Sequence, residues 1–390
     1  MRVKDVSRAS ESPDKPIRLL LVAPALRILG GQAVQANYLL DHLSREPHFE
    51  VSFVPHNPRL PGPLRLLQSI KYVRTLVTSF VYCINLLLKI PRHDIVHTFS
   101  ASYLSFLLAP APAIIIANFF GKKVILNYRS GEAEDHLRTW PRTSVPIMRL
   151  ADELIVPSQY LVDVFWKFGL RATAVANIID PGRFKFKERK PLLPIFLSNR
   201  NLYPLYNVGC ILRAFSKIQQ TFPQARLIIA GDGSQRQSLE ALARELKLQN
   251  VEFRGRVAPH KMHELYDEAH IFLNSSNIDN MPGSILESFA TGMPVVSTSA
   301  GGIRCIVTHE QTGLLVPRND HDAMAAWAIR LLETPDLASS VARNAYEECA
   351  GYRWDAVREK WLAAYSRLAG RDANIDRPVV ARQMIHDDLH

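Results

Sequence analysis

The chain has 390 residues, an apolar fraction of 47% and a formal net charge of +10. That length favours two domains over one, and that composition indicates a globular chain and excludes a wholly disordered one. The cysteines at positions 83, 210, 305 and 349 are scattered without a CxxC pair, which argues against a disulfide framework or a zinc ribbon and favours a reducing compartment.

The positive charge has no recognised nucleic-acid signature beside it, so we predict no nucleic-acid partner. Residues 1–15 are polar and lack the apolar core of a signal peptide. We therefore expect a flexible N-terminus on a cytoplasmic protein.

From residue 17 onward, short apolar runs alternate with segments of helical spacing, which predicts parallel sheets covered by helices on both faces. Six strands are predicted at "IRLLLVAP", "FEVSFVPH", "HDIVHTFS", "KKVILNYRS", "DELIVPS" and "ATAVANIID". After a linker rich in proline and charge at 181–194, six more follow at "PIFLSN", "ARLIIAG", "VEFRG", "HIFLNS", "MPVVSTS" and "TGLLVP". The sequence thus predicts an α/β protein of two doubly wound domains with a cleft between them, divided into residues 16–185, 186–352, a last helix 353–370 and a loosely ordered tail 371–390.

Residues 64–90 form a basic amphipathic helical region with no acidic residue between Glu50 and Asp94. Its apolar positions have helical spacing, at Leu66, Ile70, Val73, Val77, Phe80, Ile84 and Leu87. Such a helix can lie on an anionic membrane surface; the alternative is a helix packed on the core with solvated charges. The apolar run 75–88 is too short to span a bilayer, and the run 103–121 contains two prolines.

Two glycine-containing turns follow predicted strands. Gly30 and Gly31 precede the first helix, where glycines allow positive φ and close approach of a ligand, and the helix N-terminus attracts an anion; a plain tight turn is the alternative. Gly231 belongs to "GDGS", which lacks the third glycine of a dinucleotide fingerprint and so does not predict a nicotinamide cofactor.

Arg200 and Asn201 stand at the carboxyl end of the first strand of the second domain, where a guanidinium can hold a diphosphate; a surface loop arginine is the alternative. In "NIDNMPGSILESFATG", a helix starting near Gly283 would offer the amides of Gly283, Ser284 and Ile285 to an anion. Glu287 could then bind a ribose and Asp279 would lie on the loop above, although Ser284 and Glu287 also have the form of a capping box.

These motifs, with "ADELIVPSQYLVDVFWKFG", "LIIAGDGS" and "FATGMPVVSTSAGGIRCIVTHEQTGLLVP", make residues 17–370 resemble the retaining glycosyltransferases of family 4, also called group 1. The resemblance implies the GT-B fold of two Rossmann-like domains facing across a central cleft, a last helix that crosses back to the N-terminal domain, and no metal or other cofactor. It also implies that Glu287 holds the ribose, Asp279 meets sugar hydroxyls, Arg200 meets the diphosphate, and the loop containing Val257 meets the base.

The sequence departs from the family pattern at three places. Asp279 stands where glutamate is usual, and the expected lysine is absent from "NLYPLYN". Arg129, followed by Gly131, stands where many members have a histidine. Arg129 and Glu132 are therefore predicted to contact the acceptor. The alternatives are contact with the donor for Arg129 and helix capping for Glu132. His97 is also predicted to contact the acceptor in the cleft, with a hydrogen-bonded position in the core as the alternative.

The predicted function is metal-independent, retaining transfer of a sugar from a nucleotide-diphosphate sugar to a hydroxyl of a glycan or lipid-linked acceptor, in cell-surface polysaccharide or glycolipid synthesis. The expected location is the cytoplasm, with residues 64–90 bringing the protein to the inner face of the membrane. Two alternatives are a catalytically silent GT-B partner subunit, which the missing lysine and histidine suggest, and a nucleotide-sugar epimerase.

Overall fold

The structure is a computed structural model that describes residues 15–25, 30–59, 62 and 70–371, with the backbone alone at residues 71 and 72. The predicted flexible N-terminus, the predicted tail and the start of the basic helical region, residues 64–69, lie almost entirely outside the described residues. In the described part, two parallel sheets of six strands confirm the prediction of two doubly wound domains.

The first sheet contains the strands predicted in the N-terminal half, namely β1 Ile17–Ala23, β2 Phe49–Pro55, β3 Ile95–Ser100, β4 Lys123–Tyr128, β5 Glu153–Val156 and β6 Thr173–Ala174. The helices that accompany it are α1 Gly31–Leu43, α2 Lys71–Lys89, α3 Leu104–Leu108, α4 Pro110–Phe119, α5 Ala133–Thr139, α6 Pro141–Met148 and α7 Gln159–Trp166. Every residue of β3 is buried, as expected for a strand covered on both faces.

The second sheet contains β7 Ile195–Ser198, β8 Arg226–Ala230, β9 Val251–Gly255, β10 Ile271–Asn274, β11 Val295–Thr298 and β12 Leu314–Val316. The later helices are α8 Val208–Thr221, α9 Arg236–Glu245, α10 Met262–Glu268, α11 Gly283–Ala290, α12 His321–Glu333, α13 Pro335–Glu348 and α14 Trp354–Leu368. Apolar clusters fill both faces of each sheet.

The order of the strands determines where a ligand can bind. The sheets run β2-β1-β3-β4-β5-β6 and β12-β11-β10-β7-β8-β9. In the second sheet the chain leaves β7 toward β8 and later returns to its other side as β10, so the crevice between the ends of β7 and β10 is a topological switch point. Arg200 follows β7 and Asp279 follows β10, which places both residues at this crevice.

Helix α14 packs on the first sheet although it follows the second in sequence. Trp361, Leu362 and Tyr365 belong to one buried cluster with Leu19 and Leu21 of β1. Two charged pairs lie beside this apolar contact: the guanidinium of Arg358 bonds the Glu46 carboxylate at 2.6 and 2.7 Å, and that of Arg367 bonds Glu153 at the same distances. The last helix therefore joins the two halves of the chain.

The segment predicted as the interdomain linker is held by a buried arginine. Arg189 donates hydrogen bonds to the carbonyls of Tyr266 and Ala269 at the end of α10 and of Thr291 after α11, at 2.6 to 2.9 Å. A guanidinium at helix C-termini is stabilised by the carbonyl dipoles there. Burial lowers the pKa of Arg189 to about 10.

Helix α2 is longer than the apolar run in the sequence. The helical segment Val73–Arg92 is long and apolar enough to cross a membrane, by length and composition alone, so length does not exclude a span as the sequence suggested. One face of the segment packs on the domain through buried Tyr82 and Leu86. Much of the predicted apolar stripe is exposed to solvent: Phe80, a member of the stripe, is 66% exposed. Leu76, which lies next to the stripe, is 73% exposed.

The crossing of α14 predicts a large stability loss on Trp361→Ala, because the ring is 2% exposed and its removal leaves a cavity against β1. We expect the free energy of unfolding to fall by about 3–5 kcal/mol in urea. Trp166→Ala is the matched control, since its ring is 66% exposed and its loss is expected to change little. Equal effects of the two substitutions would contradict this packing.

Candidate active site

A cavity of about 360 Å³ lies between the two domains. Its walls are loops that follow strands of both sheets and the start of α11. Five of its lining residues carry a buried polar atom without a partner in the described part of the chain: Arg129 Nη2, Asn177 Oδ1, Asn199 Oδ1, Arg200 Nε and Asn280 Nδ2. Buried polar groups in proteins are normally satisfied, so this cluster indicates a site shaped for a polar ligand.

The centre of the cleft is an ion pair that the sequence did not predict. Arg200 Nη2 donates to Asp279 Oδ2 at 2.5 Å, and both side chains are 12% exposed. Arg200 Nη1 also donates to Ser284 Oγ at 3.2 Å, and the guanidinium lies 4.3 Å from the centre of the Tyr206 ring. The carboxylate of Asp279 therefore largely neutralises Arg200, the arginine that the sequence predicted to bind a diphosphate.

Close backbone packing fixes the loop that carries Asp279. Ser276 Oγ donates to Asp279 Oδ2 at 3.0 Å, and the Asn280 amide donates to Asp279 Oδ1 at 3.0 Å. Gly301 has φ +50°, and a Cβ there would lie 2.2 Å from the Asp279 carbonyl oxygen. A Cβ on Gly131 of the other domain would lie 3.0 Å from the Asp279 carbonyl carbon. Both glycines thus permit contacts that a side chain would prevent.

Glu287 points into the cleft and does not cap its helix. Tyr266 donates its hydroxyl proton to Glu287 Oε2 at 2.6 Å and accepts from Asn199 Nδ2 at 2.7 Å. The helix begins after Pro282 without a side-chain cap, so the capping-box interpretation is wrong. Burial raises the pKa of the Glu287 carboxyl, while Tyr266 and the charge of Arg200 act in the opposite direction.

The N-terminus of α11 faces the same cavity. The amides of Gly283 and Ser284 meet no acceptor among the described residues, and both residues line the cavity. The Ile285 amide, predicted to be free, donates to the Pro282 carbonyl at 3.1 Å, and its side chain is fully buried. Two free amides therefore remain for an anion, because the first turn tightens around Pro282.

The other predicted donor residues line the cavity: Gly30, Gly31, Asn201, Gly231 and Val257. Gly30 has an extended backbone with φ −178°, and the space around both paired glycines is open, so neither is needed for positive φ. Gly231 has φ +148°, and a Cβ there would lie 2.2 Å from the Arg200 carbonyl oxygen. This glycine lets the turn after β8 pack against the Arg200 backbone.

His97 is a core residue, and the prediction that it faces the cleft is wrong. The ring is fully buried, with Nδ1 2.7 Å from the Tyr365 hydroxyl and Nε2 3.1 Å from Asn127 Nδ2. Burial lowers its pKa to about 3, so the ring is neutral. Its hydrogen-bond partners lie on β4 and α14, which are distant in sequence, so no local pattern predicted these contacts.

Arg129 and Glu132, the other predicted acceptor residues, line the cavity on the N-terminal side. Arg129 Nη1 donates to Asn127 Oδ1 at 3.3 Å. Burial and the nearby Asp135 raise the pKa of Glu132. The neighbouring acid Glu134 pairs with Arg138 and Lys167 on the surface, and Asp135 accepts from the Tyr103 hydroxyl.

Sequence analysis missed several residues of this cleft. Arg183, within the predicted linker, lines the cavity with its guanidinium 5.4 Å from the Tyr38 ring centre. Arg256 lines the wall near Val257. The cluster of charged residues in "GRFKFKER" could have indicated Arg183 as a ligand-binding residue. The contacts of Tyr38 and Tyr266 are made with distant segments and have no local sequence pattern. Among the described residues, no group of three or more side chains could hold a metal ion.

The C-terminal half of the chain is similar in sequence to known glycosyltransferases. Residues 182–348 match the family model described as glycosyl transferases group 1. The chain is 28% identical over 242 residues to a D-inositol 3-phosphate glycosyltransferase of Thermobispora bispora, covering 57% of this chain and 56% of that protein. It is 26% identical over 231 residues to an alpha-monoglucosyldiacylglycerol synthase of Streptococcus pneumoniae, covering 55% and 52%. The chain thus spans about half the length of these relatives.

A solved structure extends the similarity to both domains. Anabaena HepE in complex with UDP-glucose superposes with a TM-score of 0.72 at 16% identity, over 90% of this chain and all of that one. At this identity the match concerns the fold, and it confirms the two facing Rossmann-like domains of the GT-B type.

The central ion pair predicts an asymmetric response to substitution. Asp279→Asn removes the ion-pair partner of the buried Arg200, so we expect the free energy of unfolding to fall by about 3–5 kcal/mol. The double variant with Arg200→Gln removes both charges and is expected to recover part of this loss in urea unfolding. Strictly additive losses would contradict a coupled pair.

Proposed function

We propose that this chain, whose residues 182–348 match the family model of group 1 glycosyl transferases and whose fold is of the GT-B type, is a glycosyltransferase that moves a sugar from a nucleoside-diphosphate sugar to an acceptor hydroxyl. One observation carries the proposal: Glu287, Arg200 and the free amides of Gly283 and Ser284 converge on one cavity. These groups match the two polar parts of a nucleotide, a ribose and a diphosphate.

In the proposed complex, the diphosphate lies against the N-terminus of α11. The helix dipole and the two free amides attract the phosphate oxygens. Glu287, oriented by Tyr266, accepts hydrogen bonds from the ribose hydroxyls when it is ionised. Because burial raises the pKa of this carboxyl, binding is expected to weaken as pH falls through that raised value. The base then lies near Val257 and Gly231.

The proposed chemistry is stabilisation of a leaving group. As the bond between the sugar and the diphosphate breaks, negative charge grows on the phosphate oxygen, and preorganised donors stabilise it. The acceptor hydroxyl attacks the same face of the sugar and passes its proton to the departing phosphate, which retains the anomeric configuration. The guanidinium groups and amides can take up this charge, so the proposal requires no metal and no other cofactor.

Asp279 has a double role in this proposal. Its Oδ2 is occupied by Arg200 and Ser276, and its Oδ1 by the Asn280 amide. Because each oxygen can accept two bonds, one acceptor position on Oδ1 remains for a sugar hydroxyl. The carboxylate therefore holds Arg200 in place while it contacts the transferred sugar.

The acceptor is proposed to be a glycan or a lipid-linked hydroxyl at the membrane. One relative is named as an alpha-monoglucosyldiacylglycerol synthase, and another as a D-inositol 3-phosphate glycosyltransferase. The exposed apolar side chains of α2 favour the lipid alternative, and α4, which contacts α2, also exposes apolar side chains, with Phe119 81% exposed. The exposed Arg74 and Arg92 lie near the two ends of the helical segment. We propose a cytoplasmic protein bound peripherally to the inner face of the membrane.

Substitution of the donor residues tests the transfer reaction. We expect Arg200→Ala to lower kcat/KM about 100-fold or more, and Glu287→Ala to raise KM for the donor. The measurement is nucleoside-diphosphate release from a panel of nucleotide sugars, with lipid and soluble acceptors and thermal unfolding to establish that each variant folds. NMR of the product gives the anomeric configuration.

Three outcomes would contradict parts of the proposal. Unchanged transfer in both variants would remove the assigned site. Stabilisation by no nucleoside diphosphate, together with no transfer by the wild-type protein, would favour a silent partner subunit. A changed sugar without any acceptor product would favour an epimerase.

Membrane binding has a separate test on α2. We expect the protein to co-sediment with vesicles containing phosphatidylglycerol at low salt, and Leu76→Glu with Phe80→Glu to abolish this, because both side chains are exposed. Trp166→Glu is the matched control, as an exposed aromatic on α7. Absence of wild-type binding to anionic vesicles at low salt would overturn the membrane proposal.

A further inference from the structure

Arg129 differs from the other arginines of the cleft in having no carboxylate partner. Arg200 pairs with Asp279, Arg183 lies 3.6 Å from Asp180, and Arg256 lies 3.6 Å from Asp232. Among the described residues, no carboxylate oxygen lies within 4 Å of the Arg129 guanidinium. The positive charge of Arg129 is therefore uncompensated by any nearby acid.

The hydrogen bonding of Arg129 is also incomplete. Nη1 donates one long bond to Asn127 Oδ1, and Nη2 is buried without a partner. On its other side, the guanidinium lies 5.5 Å from the centre of the Phe99 ring. Burial lowers the pKa of this group because no acid offsets the loss of water. A buried, unpaired guanidinium costs stability, so its presence calls for a compensating anion.

The position of Arg129 places that anion in the substrate cleft. Arg129 follows β4, lines the cavity, and is two residues from Gly131, whose backbone packs against Asp279. The loop of Arg129 therefore adjoins the loop that holds the Arg200–Asp279 pair. The chain has Leu205, Tyr206 and Asn207 where a second cation of the C-terminal domain was expected. Among the described residues, that domain therefore lines the cavity with two arginines that are each paired with an aspartate, Arg200 and Arg256, and with two free amides.

We propose that Arg129 is the cation that binds the substrate's oxyanion, so that the N-terminal domain supplies the charge missing from the C-terminal one. The proposal rests on the proposed function and identifies the partner of one further residue. Its ligand is a phosphate oxygen of the donor diphosphate; an acid group on the transferred sugar or on the acceptor presents the same chemistry.

This role predicts opposite changes in stability and binding. Without ligand, Arg129→Gln removes a buried unpaired charge, so the melting temperature is expected to stay equal or rise. With ligand, the dissociation constant for a nucleoside diphosphate is expected to rise about 10- to 100-fold, the usual effect of losing a charged hydrogen bond. A purely structural arginine would show the reverse pattern, with lower stability and unchanged binding.

The experiment uses the full chain and compares wild type, Arg129→Gln and Arg129→Lys. Calorimetry and thermal shift are recorded with inorganic pyrophosphate, UDP, GDP and ADP. Arg138→Gln is the matched control, because Arg138 is 70% exposed, pairs with Glu134 and is separate from the cavity lining. Arg129→Lys keeps the charge and is expected to recover part of the affinity.

The arms of the experiment separate the sources of the oxyanion. Weaker binding of pyrophosphate and nucleoside diphosphate in Arg129→Gln assigns the diphosphate. Unchanged diphosphate binding with a selective fall in kcat/KM for uronic acid donors or phosphorylated acceptors assigns the acid group. Unchanged binding and kinetics throughout would overturn the inference. If pyrophosphate binds through Arg129 but no sugar is transferred, the proposed function fails and the inference stands.

Discussion

The buried ion pair between Arg200 and Asp279 joins the ends of β7 and β10 at the switch point of the second sheet. Removing two charges from water is costly, and a short contact with additional hydrogen bonds from Ser276 and to Ser284 is needed to offset it. Gly131 and Gly301 allow the surrounding backbone to close on Asp279. The orientation of α11 and the shape of the cleft both depend on this contact.

The pair also determines which charges remain for a ligand. Because Asp279 offsets the charge of Arg200, Arg129 is the lining arginine without a carboxylate partner among the described residues, and the free amides of Gly283 and Ser284 lie on the opposite wall. They belong to different domains, so a diphosphate between them would bind both walls at once. In this account, substrate binding and the relative position of the domains are coupled through electrostatics.

The sequence predicted the fold well, because each strand is a local apolar run and the alternation with helices leaves few topologies. It also brought Arg200, Asp279 and Glu287 to one place, since the carboxyl ends of parallel strands share an edge. It could not predict partners from distant segments: Tyr365 reaches His97 across 268 residues, and Tyr266 turns Glu287 away from its cap. The prediction that the Ile285 amide is free was wrong, because this amide donates to the Pro282 carbonyl in the first turn of α11.

Amide hydrogen–deuterium exchange on the intact protein, with and without UDP, GDP or ADP, tests most directly whether a nucleotide bridges the two walls. The account predicts that at least one nucleotide slows exchange at Gly283 and Ser284 and also in the loop of residues 129–132. Protection of one wall alone, or of neither wall, with all three nucleotides would contradict it.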